Sequence, residues 1–511
     1  MARTGTGGRS RPNILFITTD QQHHRAMGGR TPELRTPNLD RIAREGMTVD
    51  RAYCPNPLCS PSRSSMITGE YPSWHGCWTI GVKLDEERQF LGDLLRTSGY
   101  RSSLIGKAHF QPLASVPGQT SLEAQPTLRD LDFWREFHGP WYGFDHVEVA
   151  RNHADESHVG QHYAIWMEEQ GATDWQRWFQ SWPEQPDEPR RRHSWDLPVE
   201  LHYSTWTAER TIAAIDRAVA ADEPFLTWAS FHDPHPPYLV PEPYASMYDP
   251  AAVEPGRLAP GELDRMPPWF ALTQQADPDF SAWQETPYPN HGFGSHLVDE
   301  ERLRKDIAVY HGMISLVDDQ IGRILDRLDE LGIADNTMII FTSDHGHFLG
   351  HHGLTAKGAF HYEDLLRVPF LARWPGHIPA GSNSSGLLSL VDLAPTMLAA
   401  AGVEVPGWMQ GVDQGPMLTG ESTAVRDHVI VENRHQPTAV DLRTFIDDRH
   451  KLTVYRGQPW GDLFDLVDDP GEQHNLFDSP DHQDLRHRLA LRALDAELRR
   501  QPTRYARIAR A

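Results

Sequence analysis

Cys59-Ser60-Pro61-Ser62-Arg63 places one cysteine where a helix begins, with an arginine one helical turn later. A lone cysteine is by default a small buried hydrophobe. Here the run continues through Ser64-Ser65-Met66-Ile67-Thr68 to Gly69, a stretch that reads as a helix closed by glycine. A reactive group at Cys59 would sit at the positive helix end, with Arg63 offsetting negative charge beside it. Other residues able to do chemistry follow short apolar runs. Residues 13–19 lead to Asp20-Gln21, and 102–106 lead to Lys107 and His109. Residues 225–231 lead to His232-Asp233-Pro234-His235, and 337–343 lead to Asp344-His345-Gly346. Asp20, Gln21, Asp344 and His345 offer mostly oxygen ligands. Such a set suits one hard divalent cation, Ca²⁺ first, with Mg²⁺ or Mn²⁺ as alternatives.

Near-continuous apolar runs of this length predict strands buried on both faces, as in a parallel sheet. Ligands of open α/β sheets bind at the carboxyl ends of the strands. Strand ends delivering Asp20, Lys107, His235 and Asp344 would therefore build one polar site. Helical patterns alternate with the strands, over about 37–45, 90–97, 303–331 and 391–401. Residues 111–200 and 239–300 lack clear periodicity and read as long insertions. From about 425, four short strand patterns and a polar helix over about 481–499 predict a small antiparallel subdomain. The expected division is an α/β catalytic domain over 1–420 and a C-terminal α+β subdomain over 425–511. Trp134, Trp141, Trp166, Trp175, Trp178 and Trp182 offer either an aromatic wall for a ligand or hydrophobic filling.

The formal net charge of −23 excludes a broad nucleic-acid footprint. No run is apolar and long enough for a membrane span, and residues 1–12 lack the apolar core of a secretory signal. Three cysteines, Cys54, Cys59 and Cys77, do not make a disulfide framework. A cytoplasmic location is the expectation. The oligomeric state is open, a homo-oligomer included.

Cys59-x-Pro61-x-Arg63 followed by Thr68-Gly69 resembles the signature of type I sulfatases, in the alkaline phosphatase superfamily. Gly99-Tyr100-Arg101-Ser102-Ser103-Leu104-Ile105-Gly106-Lys107-Ala108-His109 is similar to that family's second signature. Asp20 and Asp344-His345-Gly346 resemble its metal residues, His235 its leaving-group histidine, and Lys357 in Ala356-Lys357-Gly358 its later active-site lysine. The resemblance implies an alkaline-phosphatase-like, mostly parallel central sheet sandwiched by helices. It implies that a formylglycine-generating enzyme oxidises Cys59 to formylglycine. The aldehyde hydrate, held by the cation and Arg63, would attack a small-molecule or carbohydrate sulfate ester. Lys107 and Lys357 would clamp the sulfate oxygens, and His235 would protonate the leaving alcohol. His109 would take a proton from the second hydroxyl, so that sulfate leaves by C–O cleavage.

Three positions depart from the family pattern. Gln21 stands where many relatives have a second aspartate, which is similar to choline sulfatases and phosphonate monoester hydrolases. Ile80 stands where relatives often have asparagine. His347 and His351 stand near a position that is often aspartate, and both read as surface residues. An alternative is a phosphonate monoester or phosphate diester hydrolase on the same fold. Those relatives tend to carry Tyr and Thr where this chain has Lys107 and His109, which favours sulfate. A binding protein without turnover is disfavoured, because each expected catalytic position is chemically competent.

Overall fold

The computed structural model describes residues 11–151, 159–179, 192–436 and 438–501. The strands of the chain are β1 (Asn13–Thr19), β2 (Met47–Tyr53), β3 (Arg101–Gly106), β4 (His146–Val149), β5 (His193–Trp195), β6 (Phe225–Ser230) and β7 (Leu239–Pro241), then β8 (Thr337–Ser343), β9 (Phe370–Arg373), β10 (Ser382–Ser389), β11 (Val429–Gln436), β12 (Val440–Ile446), β13 (His450–Tyr455) and β14 (Gly461–Asp465). Eight of them form the central sheet, in the order β10-β2-β9-β8-β1-β6-β3-β4. All neighbours pair in parallel except β9, which runs antiparallel to β2 and β8. The short pair β5 and β7 is separate.

Both faces of the central strands are buried, which is why their sequences read as continuous apolar runs. Ile14, Phe16, Met338 and Ile340 face one layer, packed with Met66, Leu95 and Met397 of the helices Cys59–Thr68, Leu91–Arg96 and Leu393–Ala400. Leu15, Ile17, Ile339 and Phe341 face the other, packed with Ile42, Ile215 and Val317 of Pro37–Glu45, Tyr203–Ala220 and Glu300–Glu330. This is the helix-sandwiched α/β sheet that the sequence predicts.

β11 to β14 make a second, antiparallel four-stranded sheet in chain order. The helix Gln483–Arg499 contributes Leu489 and Ala496 to a core shared with Phe445, Leu452 and Leu463 of that sheet. The aperiodic stretch 111–200 supplies β4, the edge strand of the central sheet, and the helix Gln161–Glu169. Its described tryptophans pack into cores and do not form a ligand wall. Trp134 and Trp141 join the main core, and Trp166, Trp175 and Trp178 fill a core of their own with Trp195 and Trp206. Trp182 lies outside the described residues. No helix among the described residues is long and apolar enough to cross a membrane.

Candidate active site

Neighbouring strands β8, β1, β6 and β3 all end on one edge of the sheet. Thr19 pairs with Ser343, so Asp20 and Asp344 leave adjacent strand ends together. Gly106 aligns with Ser230, which brings Lys107 to the same edge. Gly106 has φ +105°, and a Cβ there would lie 2.0 Å from Ser230 O, so only glycine lets the chain turn Lys107 into the site. The helix Cys59–Thr68 begins at the cysteine and is buried along its whole length. Ser62 Oγ fastens it to the β8 end by donating to Asp344 O at 2.6 Å.

Arg63 is fully buried and joins the strand ends. Its Nε donates to Asp344 Oδ2 at 2.8 Å, and its Nη2 donates to Asp20 Oδ2 at 3.3 Å. Its Nη1 donates to Ser230 Oγ at 2.7 Å, and Ser230 in turn donates to Lys107 O at 2.6 Å. Lys107 Nζ also contacts Asp20 Oδ2. Burial opposes ionisation of Asp20, but the charges of Lys107, Arg63 and Lys357 overcome it and hold that carboxyl well below its usual range.

Cys59 Sγ is the centre of the cluster. Lys357 Nζ lies 2.9 Å from it, His345 Nε2 3.2 Å and Asp20 Oδ1 3.6 Å. His345 Nδ1 donates to Gly346 O at 2.9 Å, which turns Nε2 toward Cys59. His235 Nδ1 donates to Pro236 O at 2.5 Å, so its Nε2 is the acceptor 3.4 Å from Lys357 Nζ. Burial and then Lys357 push the His235 ring well below its ordinary value, so it rests neutral.

The residues fit a divalent cation. One ligand atom each from Asp20, Cys59, Asp344 and His345 lies within 4.8 Å of the others. Gln21, in the left-handed region at φ +64°, donates its backbone N–H to Asp344 Oδ1 at 3.0 Å. Its side-chain Oε1 and Nε2 are buried without a hydrogen-bond partner, as a carbonyl ligand awaiting an ion would be.

His109 joins the site differently from the expectation. Arg151 Nη2 lies 3.0 Å from its Nε2 and occupies that acceptor, so the ring proton sits on Nδ1. Burial, then Arg151 and Lys107, keep the ring neutral. This geometry suits a hydrogen-bond donor better than the base assigned from the sequence. His347 is not a surface residue. It is 1% exposed, and its Nε2 meets Tyr238 Oη at 2.7 Å. His351 is half-buried, and so is Ile80, which brings no polar atom.

Several positioning residues were missed. Glu123 accepts backbone N–H bonds from His109, Phe110 and Gln111 at 2.7, 2.8 and 2.8 Å, which fixes the loop carrying His109. Asp233 accepts from Tyr203 Oη at 2.6 Å and Ser204 Oγ at 2.9 Å, and burial pushes its carboxyl up to about 7. Only the Asp-Pro-His wording of that loop hinted at it. Ser230 and Arg151 carried no signal at all.

The sulfatase family profile matches residues 12–403, and an N-sulphoglucosamine sulphohydrolase C-terminal profile matches 350–499. The chain belongs to the sulfatase family, within the alkaline phosphatase superfamily, and is a sulfuric ester hydrolase by class. It is 28% identical over 487 residues to the uncharacterized sulfatase YidJ of Escherichia coli K12, covering 95% of this chain and 87% of that protein. It is 29% identical over 534 residues to the multifunctional alkaline phosphatase superfamily protein PehA of Trinickia caryophylli, covering 96% of each. Among solved structures, the phosphonate monoester hydrolase of Agrobacterium radiobacter superimposes with a TM-score of 0.79 at 26% identity, covering 98% of both chains.

Proposed function

We propose that this enzyme hydrolyses a sulfate monoester of a small molecule or carbohydrate, using formylglycine made from Cys59 by a formylglycine-generating enzyme and one divalent cation, Ca²⁺ first. The observation that carries this reading is the convergence of Lys357, His345 and Asp20 on Cys59 Sγ, within 2.9, 3.2 and 3.6 Å. Asp20, Gln21, Asp344 and His345, with the converted Cys59, would hold the cation. Bound there, a cation lowers the pKa of a coordinated hydroxyl and polarises an ester oxygen, while the converted residue supplies the nucleophile.

The chain's own groups do the rest. A sulfate monoester resists attack because its anionic oxygens repel nucleophiles. Lys107 and Lys357 meet those oxygens, and Arg63 holds both aspartates in alignment through its hydrogen bonds to them. His109 donates from Nδ1 toward the ester. His235 starts neutral beside Lys357. Burial and then the Lys357 charge lower the ring's pKa; an anion bound at Lys357 offsets the second, which moves His235 Nε2 toward taking a proton it can pass to the leaving alcohol.

A second reading is hydrolysis of a phosphonate monoester or phosphate diester. The likeness to the phosphonate monoester hydrolase, with Gln21 beside Asp20, favours it. Rates on matched aryl sulfate and aryl phosphonate monoesters, alongside choline and sugar sulfates, decide between them. A higher kcat/KM for the phosphonate overturns the sulfatase reading.

A further inference from the structure

The loop that begins with Asp20 and Gln21 continues into His24, Arg25 and Arg30. These line a second cavity of about 480 Å³ with Arg257, His352 and Arg367. It holds none of the groups around Cys59. Four arginines around one cavity stand out in a chain of net charge −23.

The carboxylates of the cavity wall are already engaged. Glu262 Oε1 meets His352 Nδ1 at 2.6 Å. Asp364 Oδ1 accepts from His23 Nε2 at 2.8 Å, and its Oδ2 lies 3.2 Å from His352 Nε2. Glu363 Oε2 accepts from Tyr53 Oη at 2.8 Å. Arg30 pairs with Asp50 outside the cavity wall. Arg25 and Arg257 are exposed and have no carboxylate within ion-pair distance among the described residues. His24 is 7% exposed, and its Nδ1 is buried with no hydrogen-bond partner. Arg367 Nε is likewise buried without a hydrogen bond, with Glu363 Oε2 at 3.8 Å as its ion-pair partner, and its Nη2 donates to Asp50 O. Unmatched buried polar atoms are costly unless a ligand pairs with them.

We propose that this cavity binds a tetrahedral oxyanion, sulfate or phosphate, through His24, Arg25, Arg257 and Arg367, at a site separate from Cys59. Guanidinium forks match the paired oxygens of such an anion, and a buried imidazole N–H adds a directed donor. The volume admits the anion with water or a small substituent. A cation is the competing occupant, because ligand atoms of His23, His351 and Asp364 lie within 4.8 Å of one another. The hydrogen bonds oppose it. His23 Nδ1 accepts Arg25 N–H at 3.2 Å, so its proton sits on Nε2 against Asp364, where a metal would need a lone pair. The arginines add repulsion. The inference is independent of which ester the enzyme cleaves.

Selenate tests it, because its anomalous scattering locates it. Crystals of the full chain soaked in selenate should show one peak at Cys59 and a second within hydrogen-bond distance of His24, Arg25 or Arg257. Arsenate soaks and competition by inorganic phosphate distinguish a phosphate-type from a sulfate-type preference. The Arg25→Glu/Arg257→Glu variant changes exposed positions, so it should fold and keep its turnover. Calorimetric titration with selenate should show the second binding step weakened at least about tenfold in that variant. A selenate peak at Cys59 alone, or a second step unchanged in the variant, overturns the proposal. So does a zinc soak that places the metal on His23, His351 and Asp364.

Discussion

Lys357 Nζ stands 2.9 Å from Cys59 Sγ, although 298 residues separate them in the chain. Burial and Asp20 oppose ionisation of the thiol, yet Lys357 and Lys107 prevail and hold it below its ordinary value. The site is therefore organised to stabilise negative charge at this atom before any ligand arrives.

If Cys59 is the residue converted to formylglycine, its tryptic peptide should be about 18 Da lighter after co-expression with a formylglycine-generating enzyme. Activity should scale with the converted fraction. Lys357→Met should lower kcat/KM by about 10² to 10³, as removal of one oxyanion-stabilising donor does. Full activity in a preparation that carries only the intact thiol would rule the nucleophile out.

Asp344 accepts from Arg63 Nε at 2.8 Å and from the backbone N–H groups of Gln21 and His345 at 3.0 Å each. Asp344→Asn removes the nearer of the two carboxylate charges that balance a fully buried guanidinium. The expected loss of stability is about 3 kcal/mol or more, in the range measured for breaking buried pairs. The variant should also lose the rise in Tm that the parent protein gains on adding Ca²⁺, because a hard-cation site depends on ligand charge. An unchanged Ca²⁺ response in the variant would remove Asp344 from the metal set.

The strand ends were legible because each apolar run stops abruptly at residues of opposite character. Asp20, Lys107, His235 and Asp344 could be placed on one edge before any coordinates. Cys59 and Arg63 were legible through the resemblance of their motif to the sulfatase signature, on a stretch that reads as a helix. The partners that hold these groups were not. Glu123 binds three successive backbone N–H groups, and nothing in its own neighbourhood marks it. β4 is four residues long and lies inside an aperiodic stretch, too short to show a period. His347 looked like a surface residue because its burial depends on Tyr238 and Tyr310, whose rings meet it from distant segments. Such contacts are set by tertiary packing and leave no local pattern.

His352 gives the fold a pH dependence whose sign follows from its partners. Burial opposes its charge, but hydrogen bonds to Asp364 and Glu262 outweigh burial and push the ring up to about 9 from 6.5. Tyr362 stacks on the ring with centroids 3.5 Å apart, and Glu472 adds a more distant negative charge. A folded-state value above the unfolded one stabilises fully below about pH 6.5, and that stability is lost as pH rises through about 9. The contribution is at most about 3 kcal/mol. His352→Gln should lower the urea midpoint at pH 6 and flatten its decline between pH 6.5 and 9. An identical slope in both proteins would show that another group titrates.

On the proposed reading, Lys107 and His109 would carry the choice between sulfate and phosphonate. Lys107 Nζ is fully buried against Asp20, and His109 is 3% exposed with its Nδ1 unpartnered. A sulfate monoester presents three terminal oxygens and one negative charge, so both donors find acceptors. A phosphonate monoester carries one negative charge too, but an organic group replaces one terminal oxygen. A lysine or imidazole N–H aimed at that group would lose its acceptor in a desolvated site, which is where discrimination is strongest. Lys107→Tyr with His109→Thr should therefore lower kcat/KM for an aryl sulfate more than for the matched aryl phosphonate, by about tenfold or more in the ratio. Both rates should be followed in the converted enzyme at one pH, with Tm as a control for folding. A ratio that stays constant would show that these two side chains do not read the difference between the esters.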